Sequence, residues 1–323
     1  MSLSAISKNS FVVLGRAGMD LYADPPGTEL TNATQFFASM GGSAGNIAAG
    51  IVRLGGKAAL LTAVSEDAVG QFVMNNLAQY GVEDSFVTRV SGECRTSLAV
   101  TETRIDNTQN VIYRNNAADF LMTKEHVDAV DFDRFGALII TGTALAAEPS
   151  RGATRYAAEQ AREAGIAVIL DVDYRPYSWP SGDEASRVYR DIASQCDMII
   201  GNDEEFAVMA GASGDGKALA QEFTRTGDRT CIYKMGPEGS IAYAPGADPF
   251  ETPIYPVEAI KPMGAGDSFM AALVTGLGTG RSLKESVRRG TAAAAMVVTG
   301  IGCAPAMPTP QELEDFLTGP TRV

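Results

Sequence analysis

The 323-residue chain has only one histidine, one tryptophan and four cysteines. His126 lies in the polar stretch Thr123-Lys-Glu-His-Val-Asp and reads as a surface helix residue, so a mechanism that needs a histidine base is disfavoured. Cys94, Cys196, Cys231 and Cys303 are widely spaced and form no C-x-x-C pair. That pattern speaks against a zinc knuckle and a disulfide framework, and a reducing, cytoplasmic setting is expected. Long apolar runs are missing too. The strongest early one, Phe11 to Leu14, is far too short to cross a bilayer, and Met1 to Ser10 is polar, so no membrane partner is expected. Basic charge is scarce: 26 Lys and Arg against 39 Asp and Glu leave a net charge of −13, which repels the phosphates of nucleic acid. A local pair of arginines can still hold a small anion.

What the chain does have is a repeating rhythm. Phe11 to Leu14, Ala58 to Val64, Ala137 to Thr141, Ala167 to Asp171 and Met198 to Ile200 read as buried strands. Helical patterns fall between them, over Gly45 to Leu54, Ala68 to Tyr80, Ser150 to Ala164 and Glu184 to Ser194. Strand and helix alternating at this spacing predict an α/β fold, a doubly wound and mostly parallel sheet flanked by helices. Ligands of such a sheet lie outside the carboxyl ends of its strands. Two stretches break the rhythm. Asp20 to Met40 has few helical signals, and Cys94 to Thr103 alternates before the turn at Asp106-Asn107 and a strand over Asn110 to Arg114. They predict a small inserted β-sheet, which is either a lid or a plain surface hairpin.

Glycine clusters carry most of the chemistry. Gly264-Ala265-Gly266-Asp267 opens the apolar helix Phe269 to Leu277. Free N–H groups there suit an anion, and Asp267 either orients a hydroxyl nucleophile or merely caps the helix. Gly41-Gly42-Ser43-Ala44-Gly45-Asn46 contains a formal G-x-S-x-G, but no suitable histidine exists to serve it. A tight turn that packs against a polyol, with Asn46 supplying hydrogen bonds, fits better; close helix packing is the alternative. The near-Walker stretch from Gly211 to Ala218 lacks the terminal hydroxyl and follows a helix, so it reads as a helix–helix loop. Gly15-Arg-Ala-Gly18 lacks the third glycine of a dinucleotide fingerprint. Asn202 and Glu205 lie three apart on a predicted helix start, where they either act together on hydrated magnesium and phosphate or belong to an ordinary acidic first turn.

Taken in order, these motifs resemble the PfkB (ribokinase-like) family of carbohydrate kinases, over about residues 11–317. The carriers are Gly15-x-x-Gly18-x-Asp20, Gly41-Gly42-x-x-x-Asn46, Glu66-Asp67-x-x-Gly70, Asn202-x-x-Glu205, Lys234-x-Gly236-x-x-Gly239 and Gly264-Ala-Gly-Asp267. The resemblance implies one kinase domain, with a β lid from about 17–40 and 94–116 that in many members also clasps a dimer. It implies Asp267 as catalytic base, and Gly264, Ala265 and Gly266 as an anion hole. Asp20, Gly42 and Asn46 would hold sugar hydroxyls. Lys234, Gly236 and Gly239 would bind ATP, while Asn202 and Glu205 would serve magnesium through water. Pro262 and Met263 stand where the family often has Asp-Thr, so the aspartate associated with a monovalent cation is missing.

Tyr113 and Arg114 on the lid, with Asp173 and Arg175 after a core strand, suit a carboxylate unless both arginines are simply solvated. These motifs are similar to those of acidic-sugar kinases. The 2-keto-3-deoxygluconate kinases carry like arginines; the 5-dehydro-2-deoxygluconokinases of inositol catabolism match further, through Asp171-Val-Asp-Tyr-Arg-Pro, Lys261-Pro-Met-Gly and Ala306-Met-Pro-Thr309. The implied partners are a small sugar acid, phosphorylated on its terminal hydroxyl, ATP and a second copy of the chain. A neutral-sugar kinase and a silent sugar- or nucleotide-binding regulator are the competing expectations.

Overall fold

The computed structural model describes residues 6–212 and 214–319; Ser213, inside the near-Walker stretch, and the two termini lie outside the described residues. Strands β1 (Ser10–Leu14), β4 (Lys57–Ser65), β5 (Val87–Val90), β8 (Ala137–Thr141), β9 (Ala167–Asp171), β10 (Met198–Asn202), β11 (Thr230–Lys234), β12 (Ser240–Tyr243) and β13 (Phe250–Thr252) form a nine-stranded sheet. Its order is β13-β12-β11-β10-β9-β8-β1-β4-β5. Pairing is parallel from β5 through to β11, and antiparallel at the β11–β12 and β12–β13 steps. The last three strands gave little periodic signal, because two short antiparallel edge strands need no crossover helix.

The helices are α1 (Ser43–Arg53), α2 (Ala68–Tyr80), α3 (Lys124–Asp128), α4 (Ser150–Glu163), α5 (Gly182–Ala193), α6 (Asp203–Ala210), α7 (Gly216–Gly227), α8 (Ala265–Gly278), α9 (Leu283–Val297) and α10 (Pro310–Thr318). Strand side chains alternate between the two faces of the sheet, and the core divides accordingly. Val12, Leu14, Leu138, Ile140, Val168 and Leu170 pack with residues of α4 and α5. Phe11, Val13, Ala137, Ile139, Ala167 and Ile169 pack on the other side with α1, α8 and α9. Every residue of β8 and β9 is buried, as expected of central parallel strands covered on both faces.

The two stretches outside the rhythm build a second sheet. β2 (Gly18–Asp24), β3 (Gln35–Gly41), β6 (Ser97–Thr101) and β7 (Asn110–Tyr113) pair in the order β3-β2-β6-β7. One face of it looks toward the carboxyl ends of the large sheet and carries Asp20 and Ser97, both buried. His126 sits on the short α3, its Nδ1 accepting from the Thr123 N–H at 2.9 Å. The four cysteines are free and buried. Among the described residues, no helix is long and apolar enough to cross a membrane.

Candidate active site

Two helices begin on glycine in a conformation that side-chain-bearing residues avoid. Gly42 has φ 85° ahead of α1, and a Cβ there would lie 2.4 Å from the Arg16 carbonyl oxygen. Gly264 has φ 87° ahead of α8, and its Cβ would lie 2.8 Å from Cys303 Sγ. Neither helix start is capped by a side chain. At α8 the first-turn N–H groups are therefore left to a ligand, and the helix dipole favours a negative one. α1 starts two residues earlier than its apolar pattern suggested, inside the glycine cluster, because Gly42 rather than Gly45 supplies the turn.

Asp267, in the first turn of α8, is not the cap; Gly264 holds that place. Its Oδ2 accepts from Asn46 Nδ2 at 2.8 Å, across from α1. Burial pushes the Asp267 pKa from the ordinary 3.8 up to about 6, aided by the charge of Asp173; the Asn46 hydrogen bond and the Arg175 and Lys234 charges pull the other way. A helix start alone would favour the ionised carboxylate and weaken it as a base, but desolvation wins. The result is a carboxylate poised to accept a proton near neutral pH.

Asp20 lies on the lid sheet, with its carboxylate directly over Gly41, where a Cβ would lie 1.9 Å from its Oδ1. That oxygen is buried without a partner, and so is Asn46 Oδ1. Two orphaned acceptors beside the base suit the hydroxyls of a polyol. Gly42 itself packs on the Arg16–Ala17 backbone, a structural task.

Lys234 ends β11, and a Cβ on Gly266 would lie 3.5 Å from its Nζ, so ammonium and open helix start flank one space. Gly239 and Gly236 shape the turn from β11 to β12: the Met235 N–H donates to the Gly239 carbonyl at 2.8 Å. Asn202 and Glu205 cap α6 reciprocally, Oδ1 accepting from the Glu205 N–H at 2.8 Å and Oε2 from the Asn202 N–H at 2.7 Å. Glu205 Oε1 also accepts from the Tyr174 N–H at 3.2 Å. Among the described residues, no group of three His, Cys, Asp or Glu side chains is arranged to hold a metal by itself. With its oxygens already bonded to backbone amides, the Asn202–Glu205 pair fits a hydrated magnesium ion that takes its direct ligands elsewhere.

The arginines gather around Asp173, which adopts φ 40° just after β9, an uncommon conformation for a residue with a side chain. Burial works to raise its pKa, but the charge of Arg175, with those of Arg16 and Arg114, holds it below the ordinary value. Arg175 pairs with Asp173 at 2.7 Å. Arg114 is buried, pairs with Asp119, donates to the Thr143 carbonyl at 3.0 Å and lies 4.1 Å from the Phe120 ring centroid. Its Nε and Nη1 are buried without partners. Arg16 is buried, donating to Ser97 Oγ at 3.0 Å.

Most of the expected residues thus share one cleft. Tyr113 does not: it is 60% exposed on the outer face of the lid, because alternation along the strand sends it away from Arg114. Three cleft residues escaped sequence reasoning. Arg16 stands in the sequence only as part of a glycine motif, although a basic residue two places beyond a strand end is a usable signal. Asp171, at the end of β9, has its pKa raised well above 3.8 by burial, against the pull of Lys234. Asp119 gave no signal at all, since its meeting with Arg114 depends on the three-dimensional turn after β7.

Comparisons with known proteins bear on the family and the fold. The profile of the pfkB family carbohydrate kinases matches residues 8–310. A 5-dehydro-2-deoxygluconokinase of Photobacterium profundum is 42% identical over 311 residues, covering 95% of this chain and 94% of that protein. A fructokinase of Xylella fastidiosa with bound ATP superposes with TM-score 0.85 at 22% identity, over 96% of this chain and 98% of that one. An aminoimidazole riboside kinase of Salmonella enterica, complexed with aminoimidazole riboside and an ATP analogue, gives 0.81 at 24% identity, over 96% and 100%.

Proposed function

The chain belongs to the pfkB family of carbohydrate kinases, and from that premise we propose that it phosphorylates the terminal hydroxyl of 5-dehydro-2-deoxygluconate with ATP. The observation that carries the sugar-acid reading is Arg114, a buried guanidinium with Nε and Nη1 both unpartnered. The two nitrogens lie on different edges of the guanidinium plane, so each can donate a charge-assisted hydrogen bond to an acidic ligand. Asp119 pairs with Arg114 and Asp173 with Arg175, while Arg16 faces the buried Asp20.

Across the cleft, Asp267 takes the proton of the attacking hydroxyl, while Asn46 Nδ2 orients its carboxylate. Asp20 Oδ1 and Asn46 Oδ1 accept from neighbouring hydroxyls. The amides of Ala265, Gly266 and Asp267 and the ammonium of Lys234 receive the negative charge of the transferring phosphoryl group. Magnesium, when bound with the nucleotide, neutralises phosphate charge. Asn202 and Glu205 would hold its water shell, and Gly236 and Gly239 would let the nucleotide approach the β11–β12 turn. All of this belongs to one kinase domain over residues 11–317.

The outer face of the lid bears Phe36, Val111 and Tyr113, exposed by 42%, 44% and 60%. A second copy of the chain covers this face in our reading, and a strict monomer by light scattering overturns that part.

The deciding experiment is ADP release with 5-dehydro-2-deoxygluconate, 2-keto-3-deoxygluconate, fructose and ribose side by side. The first should show the highest kcat/KM, and preference for a neutral sugar would refute the carboxylate argument. Arg114→Lys keeps a charge beside Asp119 but loses the Nε and Nη1 donors. It should raise KM for the sugar acid by roughly 10- to 100-fold and leave a slow neutral sugar unchanged.

A further inference from the structure

Lys261 is an anomaly of burial. Its side chain is wholly buried, whereas lysine almost never is unless paired. No carboxylate lies in ion-pair contact with it among the described residues; Nζ instead donates to two main-chain carbonyls, Met263 O at 2.7 Å and Val297 O at 3.0 Å. Met263 immediately precedes Gly264, whose left-handed conformation opens the uncapped start of α8. Val297 is the last residue of α9, where unsatisfied carbonyls concentrate negative potential. The main chain beside Lys261 is tied to the same end: the Ile260 N–H donates to Val298 O at 2.9 Å. One ammonium thus joins the negative end of α9 to the turn that sets up the open end of α8. The titratable groups that face it are the Asp267 carboxyl on α8 and the Cys303 thiol, kept neutral by burial, on the loop after α9.

We propose that Lys261 is a positioning residue for phosphoryl transfer, a covalently tethered monovalent cation that fixes the Met263–Gly264 turn and makes the enzyme independent of dissolved alkali cations. Burying an ammonium is costly, and a core held only by packing would be served by methionine, which has nearly the same shape. The carbonyl partners give the charge its reason: they keep the amides of Ala265 and Gly266 aimed at the phosphoryl site.

The inference rests on the α8 start being the transfer site, which Asp267→Asn tests separately. If that variant stays active, the site reading fails whatever Lys261 does. For Lys261 itself, initial rates of the wild-type kinase are compared in potassium, sodium and tetramethylammonium salts of equal ionic strength. Equal rates are expected, and dependence on potassium overturns the proposal. Lys261→Met is then assayed with and without added ammonium or potassium ions. A fall in kcat of about 10- to 100-fold is expected, with KM for sugar little changed and with a several-fold, saturable gain on adding the small cation. Full activity in the variant overturns the proposal, as does a folded, inactive variant that no cation revives. If Lys261→Met does not fold, the wild-type salt series still decides.

Discussion

Helices α6 and α8 both begin at the carboxyl end of the large sheet, yet their starts are opposites. α6 opens on Asn202, and its first amides are consumed by the Asn202–Glu205 capping box. α2, α5, α7, α9 and α10 likewise begin under a side-chain oxygen, from Asp67, Ser181, Asp215, Ser282 and Thr309. α8 opens on Gly264, with no side chain to accept from its amides. A capped start is self-sufficient and contributes stability; an uncapped one leaves N–H groups that only water or a ligand can satisfy. These six helices close their own starts, whereas α8 leaves open the start at which the phosphoryl group is proposed to sit.

The hardest test of that contrast is Asp267→Asn. Turnover should fall by about 10³-fold or more, because the amide cannot accept the hydroxyl proton. The folded protein should become more stable. A carboxylate whose folded pKa is raised to about 6 loses stability as pH climbs from 3.8 through that value, so the full penalty is present at pH 7. Its size is on the order of 2–3 kcal/mol. Thermal unfolding at pH 7 should therefore show a higher Tm for the inactive variant, and a lower one would mean that the carboxylate is a structural group after all.

Next in size come the two glycines of α8. Gly264→Ala forces a Cβ to 2.8 Å from Cys303 Sγ at φ 87°, so about 1–3 kcal/mol of stability should be lost together with activity. Gly266→Ala meets nothing closer than Lys234 Nζ at 3.5 Å and lies in a helix, where alanine is favoured. Its fold should hold or gain slightly, while kcat/KM for ATP drops about tenfold as the methyl narrows the phosphate space. Undiminished activity in Gly266→Ala would show that the open start is not where phosphate sits.

The same contrast explains what was legible in the sequence. Central strands are readable because burial on both faces leaves continuous apolar runs, and the helices on them because one buried face leaves a helical period. The glycine-opened start of α8 was legible as a motif, and its neighbour Asp267 with it. The capping box of Asn202 and Glu205 is just as local, yet the sequence points there only to a magnesium and phosphate pair or to an acidic first turn. What escaped was non-local. Asp267 reads as a weak base from its helix alone, and only the burial supplied by distant elements raises it. Arg16 and Asp119 take their places through chain crossings that no spacing encodes. Tyr113 was grouped with Arg114 because they adjoin in sequence, and the period of a strand separates them.

A pH profile sharpens the picture at the base itself. With Asp267 as the proposed base, its ionised form is the competent one, and kcat/KM should decline below a pH of about 6, tenfold per unit once well below it. Asn46 donates to the carboxylate and so holds its pKa down. Asn46→Ala should move that acid limb to higher pH, by roughly one unit for a single hydrogen bond. An unmoved limb would assign the titration to another group of the cleft.

The smallest effect probes the capped start. Asn202→Ala removes the oxygen that accepts from the Glu205 N–H, and about 1 kcal/mol of stability should go with it. Serine at the same place restores a cap but not the amide's reach. If Asn202 only caps α6, Asn202→Ser recovers both stability and turnover. If it also orders the water shell of magnesium, Asn202→Ser recovers Tm yet keeps a raised magnesium requirement in the ADP-release assay. The second pattern is the expected one: a helix start next to a phosphate site can be closed by its own side chains and still present its outer lone pairs to a hydrated ion.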